Sequence, residues 1–149
     1  MTAARTCRFV LAAFLVWLPA CASALPPREA DIVAVVTAFY GAITAGDDVA
    51  AMRLIASDAV FMESGKLETR DEYQKNHLPA DIEFERRVKG TRSPLRVTFQ
   101  GSDAAWVVSR TEYDEGNPEK YIITQLMVLT RDDAANWRIR TISWSTNQP

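Results

Sequence analysis

Four strand-like runs crowd the last third of the chain, and they constrain its fold more than any other feature. They are Leu95 to Gln100, Ala104 to Tyr113, Tyr121 to Arg131 and Trp137 to Thr146. All four are rich in β-branched and aromatic residues. Turn chemistry separates them: Gly101-Ser102-Asp103, Asp114 to Pro118, and Asp132 to Asn136. Links this short join successive strands antiparallel, as a meander. Such a sheet has an apolar face and needs a second layer to cover it.

The first half of the chain supplies that layer. Ile32, Val33, Val36, Phe39, Tyr40 and Ile43 recur at three- and four-residue spacing, which predicts a helix ending near Gly46. Asp47 or Asp48 caps a second, short helix carrying Val49, Met52 and Ile55. Ala59 to Ser64 reads as a strand closed by Gly65. Thr69-Arg70-Asp71-Glu72 has the form of a capping box and opens a third helix, expected to run to about His77. Pro79 interrupts it, because proline lacks an N–H and disfavours helical geometry just before it; a further helix or turn is expected from Pro79 to Val88. Helices first and strands afterwards give an α+β class, with helices on one face of a curved antiparallel sheet.

One domain is all that 149 residues accommodate. Residues 1–24 have the pattern of a cleaved leader. Arg5 and Arg8 form a basic start, Phe9 to Leu18 an apolar stretch, and Ala22-Ser23-Ala24 a small-residue cleavage signal. Leu25-Pro26-Pro27 opens a stiff linker taken as 25–30, leaving 31–147 as the folded domain. Export to the periplasm or medium is the expectation. Leu18-Pro19-Ala20-Cys21 also resembles a lipobox, so lipid anchoring through Cys21 is the alternative, and the only case in which contact with a membrane is expected. Both cysteines, Cys7 and Cys21, lie in this leader, so the domain is expected to hold no disulfide and no thiolate site. Beyond the leader 15 basic face 19 acidic side chains, a poor balance for nucleic acid, which is not expected as a partner.

Several segments resemble the SnoaL-like branch of the nuclear-transport-factor-2-like superfamily. They are Ala45-Gly46-Asp47, the run Ser57 to Phe61, and Trp137-Arg138-Ile139 leading to Ser143-Trp144-Ser145. Glu63-Ser64-Gly65 and His77 to Ile82 are similar to one exported subgroup of it. The resemblance implies a cystatin-like cone: a strongly curved sheet wrapped around helices, with a pocket at its open end. It also implies a homodimer through the convex face, and a small, largely apolar ligand. Members of the superfamily include isomerase-like and hydrolase-like enzymes, cyclases, and non-catalytic binding or dimerising modules, so the fold does not settle function. Where the subgroup often carries histidines before its final Trp-Ser, this chain has Thr141 and Ser143.

Few residues here carry chemistry. His77 is the only histidine, with Asp81 four residues on; the pair either performs acid–base work or caps a helix end. Glu63 stands at a strand end and is either a pocket carboxylate or a solvated one; alternation cannot decide, because both faces of its strand are apolar. Glu63, His77 and Asp81 are therefore the candidate acid–base groups, and the same three, with Gln125 and Tyr40, the candidate ligand contacts. Arg110 and Glu112 are either pocket residues or an exposed ion pair. No metal is expected, since one histidine and scattered carboxylates match no ligand spacing; Glu63, His77 and Asp81 are the only conceivable set. No cofactor is expected either, for the chain has no glycine-rich phosphate loop.

Overall fold

The computed structural model describes residues 29–114, 116 and 120–147. The leader, both cysteines and the linker as far as residue 28 lie outside the described residues. Helix α1 spans Glu29–Ala45, so it takes in residues 29 and 30, which the sequence had given to the linker. Its buried stripe is Ile32, Val36, Phe39, Ala42 and Ile43. Gly46, at φ 76°, ends it: the Gly46 N–H bonds the Ile43 carbonyl and the Asp47 N–H that of Ala42, both at 2.9 Å. This is a Schellman stop, which needs the left-handed backbone that glycine adopts without strain. The Asp47 carboxylate then accepts from the Ala50 N–H at 2.8 Å and starts α2, Asp48–Arg53. Ile55 was expected on that helix and instead opens strand β1, Ile55–Glu63, because α2 is only six residues long.

Two short strands were not foreseen. Strand β2, Lys66–Thr69, folds back on β1 through a turn in which Ser64 and Gly65 both have positive φ. Strand β3, Gly90–Arg92, pairs with the far end of β5. Both are short and hold too few alternating apolar residues to stand out in a sequence. The remaining strands are β4 (Arg96–Gln100), β5 (Ala104–Tyr113), β6 (Tyr121–Arg131) and β7 (Trp137–Thr146). The sheet runs β2-β1-β7-β6-β5-β3, with β4 also on β5. It is mixed rather than purely antiparallel, since β1 lies parallel to β7. The long helical connection from β1 to the meander allows that geometry, and a turn-by-turn reading of strands does not reveal it.

The predicted third helix is present with a different interior. Its capping box is complete: the Thr69 N–H donates to Glu72 at 2.8 Å and the Glu72 N–H to the Thr69 hydroxyl at 3.3 Å. Helix α3, Arg70–Glu72, runs into a π-helical segment, Tyr73–His77, and then into α4, Leu78–Arg87. Pro79 does not break the chain. The segment before it widens, with the Leu78 N–H bonding the Tyr73 carbonyl five residues back, and α4 continues beyond.

Helices cover the concave face. Their side chains meet Ala59, Phe61, Val107, Met127, Leu129, Ile139 and Ile142 in one core. In β7 the pairing slips once: Ile139 lies opposite Leu129 and Thr141 opposite Val128, so Arg140 is an extra residue. A bulge of this kind bends and twists its strand. It also shifts the alternation, so that Trp137 and Ile139 point inward above it and Ile142 and Trp144 below. No helix among the described residues is long and apolar enough to cross a membrane.

Candidate active or binding site

At the open end of the sheet lies a cleft of about 50 Å³, whose empty space reaches about 470 Å³ once the open solvent at its mouth is counted. Tyr40 and Ile43 reach it from α1, and Glu63 from the end of β1. His77 comes from the π segment, and Asp81, Phe84 and Glu85 from α4. Arg92, Thr111, Tyr113, Ile123, Gln125 and Trp144 come from the strands. The five residues singled out from sequence, Tyr40, Glu63, His77, Asp81 and Gln125, all line this one cleft. Glu63 follows the inward parity of Ala59 and Phe61, which settles the direction that alternation left open. Arg110 and Glu112 stay outside, as an ion pair on the convex face. Thr141 and Ser143 do not line the cleft.

His77 sits among three carboxylates. Its Nε2 is 3.0 Å from Glu63 and 3.4 Å from Asp81, and its Nδ1 is 2.8 Å from Glu68. These partners arrive by different routes. Asp81 is one helical turn beyond His77, Glu63 ends β1, and Glu68 stands on β2. The Asp81 hydrogen bond, then that of Glu63, outweigh the opposing effect of burial and raise the His77 pKa from 6.5 to about 11. His77 is therefore an imidazolium at neutral pH, donating from both nitrogens. Tyr73, fully buried, donates to the other oxygen of Asp81 at 2.9 Å. Burial first, then Asp81, push the Tyr73 phenol well above its usual value. Its ring stacks on Phe61 at 3.9 Å, and His77 lies 5.3 Å from Trp144. The π segment is what brings Tyr73 and His77 to bear on one wall, a frequent use of such a widened turn.

The opposite wall is built differently. The Arg92 guanidinium lies 3.3 Å over the Tyr40 ring, donates to the Thr111 hydroxyl at 3.1 Å and stands 3.9 Å from Glu85. Glu85 also accepts from Tyr113. Gly90 makes room for this: a Cβ there would meet the Tyr113 ring at 2.5 Å and the Thr111 methyl at 2.7 Å. Tyr40 donates to the Gln125 carbonyl oxygen. Burial raises the pKa of both Tyr40 and Tyr113. Gln125 is 6% exposed, and its Nε2 has no hydrogen-bond partner.

Solved structures with this architecture include a candidate ketosteroid isomerase from Shewanella frigidimarina, at TM-score 0.72 and 23% identity, over 78% of this chain and 96% of that one. A ketosteroid isomerase-like protein from Erwinia carotovora matches at 0.64 and 21%, over 80% and 96%. A candidate dehydratase of the nuclear-transport-factor-2-like family from Streptomyces avermitilis matches at 0.65 and 17%, over 80% and 96%. This is the nuclear-transport-factor-2-like fold. No family model matches the chain, and no curated protein does. At such identities the likeness is one of architecture, so the chemistry of this cone rests on its own residues.

Glu68, Glu85 and Arg92 were missed as functional candidates, and Trp144 was read only as one of several aromatics belonging either to the core or to a cavity wall. The Glu68 signal was faint but present: a carboxylate just before a capping box, close in sequence to the only histidine. Arg92 and Glu85 gave none, because they meet only through the unforeseen strand β3. Among the described residues, no group of three or more histidine, cysteine or acidic side chains is placed to hold a metal ion. Glu68 lies on the opposite edge of the His77 ring from Glu63 and Asp81, so these groups converge on the ring rather than on a common point.

Proposed function

We propose that this chain is an exported cone that binds a small, largely apolar molecule and pairs with a second copy of itself. The buried amide of Gln125 carries the binding reading. An unpaired buried donor costs roughly 1–3 kcal/mol, and a ligand oxygen seated beside Tyr40 would recover it. If the amide were turned over, Nε2 would bond the Tyr40 oxygen and leave that hydroxyl's proton free, so either orientation offers the cleft a donor. Ile43, Phe84, Ile123 and Trp144 supply apolar wall for a ring. A ring ketone such as 4-(hydroxymethyl)acetophenone should therefore shift the Trp144 indole resonance on titration. Gln125→Leu should weaken that binding by roughly 1–3 kcal/mol. Shifts confined to other surfaces would refute the reading.

One observation favours a second reading, that of an enzyme. The imidazolium holds Glu63 and Asp81 beside the cleft, and Glu68 fixes its orientation from behind. With His77 already protonated, the base would be a carboxylate rather than the imidazole. Turnover of a ligand, beyond binding, would move the conclusion to this reading.

The paired state is supported by the convex face. Trp106, Val108 and Leu126 are 36%, 42% and 39% exposed there, with Val108 directly opposite Leu126 and Trp106 opposite Val128. A two-fold pairing would cover this patch on both copies. Sedimentation of protein recovered from the cell envelope, together with its intact mass, tests pairing and loss of the leader in one preparation. A full-length monomer would overturn both.

A further inference from the structure

We infer that the ligand of this cleft carries a positive charge, as an organic ammonium group docking at the Glu63–Asp81 side of the mouth. The inference rests on the binding reading above and adds the chemical class. Glu85 is balanced by Arg92 at 3.9 Å. On the other wall Glu63, Glu68 and Asp81 share a single cation, the His77 imidazolium. No lysine or arginine makes an ion pair with any of these three among the described residues. Lys66 stands opposite Glu63 on β2 without an ion pair to it; even counting it, three carboxylates outnumber the nearby cations beside a partly enclosed aromatic wall, where charge interactions exceed those in open water.

An acidic cluster alone would only be a solvated patch. The independent observation is Gln125, nine-tenths buried in the same cleft with an unpartnered donor. It calls for a hydrogen-bond acceptor on one end of the ligand. The carboxylate wall calls for a cation on the other, while Trp144, next to His77, offers a ring face between them. A carboxylate ligand would gain from Gln125 and lose more to the uncompensated charge. The cleft therefore favours a small ring compound with an oxygen acceptor at one end and an amine at the other.

Three probes that share one ring and one carbonyl and differ only in charge decide the matter. They are 4-(aminomethyl)acetophenone as its ammonium ion, 4-(hydroxymethyl)acetophenone, and 4-acetylbenzoate. Titrated into the full-length domain at pH 7, the ammonium probe should bind at least tenfold more tightly than the neutral one, and the carboxylate most weakly. Raising the ionic strength from 0.02 to 0.5 M should shrink that preference, as screening requires (the Debye length falls from about 20 to about 4 Å). Glu63→Gln should shrink it as well. If the neutral probe binds as tightly as the ammonium, or the carboxylate binds best, the cation inference is wrong and the binding reading stands. If no probe perturbs the cleft, both fail together.

Discussion

Replacing Trp137 with alanine is expected to destabilise the domain by about 3–5 kcal/mol, the usual range for truncating a buried tryptophan. That corresponds to roughly 10–20 °C in unfolding temperature for a domain of this size. Trp137 is 5% exposed, contacts Phe99 at 6.3 Å between ring centres, and lies beneath the Arg131 guanidinium at 4.6 Å. The indole belongs to the hydrophobic core between the sheet and the helices. Its N–H has no partner, so no hydrogen bond is lost with it and the cost is one of packing. Arg138→Ala, one residue on and facing out, should cost far less. Equal unfolding temperatures for Trp137→Ala and the parent protein would refute the placement of β7 in the core.

The second large effect should come from His77→Leu, at roughly 2–3 kcal/mol near pH 7, somewhat below the cost of stripping one partner from a fully buried ion pair. The sign of its pH dependence is the sharper test. In the parent protein the folded-state pKa, about 11, lies above the unfolded value of 6.5. The folded state therefore holds a proton that the unfolded state loses between those limits. This contribution to stability is complete below about pH 6.5 and drains away as pH rises toward 11. The leucine variant lacks that decline. Denaturant unfolding from pH 4 to 10 reads both curves, and parallel curves would show that His77 does not hold this cluster.

Much of the architecture could be read from sequence because its signals were local. The Schellman stop at Gly46, the capping box at Thr69 and the four long strands each depend on residues within a few positions of one another. What could not be read depends on pairing across the chain. Strands β2 and β3 are defined by their partners rather than by their own alternation, and the parallel pairing of β1 with β7 joins segments about eighty residues apart. The same division runs through the site. Glu63, His77, Asp81, Tyr40 and Gln125 were visible as unusual residue types at element ends or within apolar runs. Their assembly into one cleft was not, nor was the sharing of one imidazolium by three acids. The direction of Glu63 was undecidable because Val60 and Met62 are as apolar as Phe61, so the sequence did not show which parity of β1 faces the helices. Pro79 misled in a specific way: proline signals a missing hydrogen bond, and the chain meets that demand with a wider turn instead of an interruption.

The extra residue in β7 separates two properties that usually change together. Arg140 adds curvature without contributing to the interior, since Trp137, Ile139, Ile142 and Trp144 would keep their inward order if it were absent. Losing it would straighten the strand and change the gape of the cleft, while the residues lining it stayed the same. Substitution at Trp144 or Gln125 would do the reverse. The width of this cleft and its chemistry are thus independent variables, and a lineage carrying this cone could retune one by a single insertion or deletion while preserving the other.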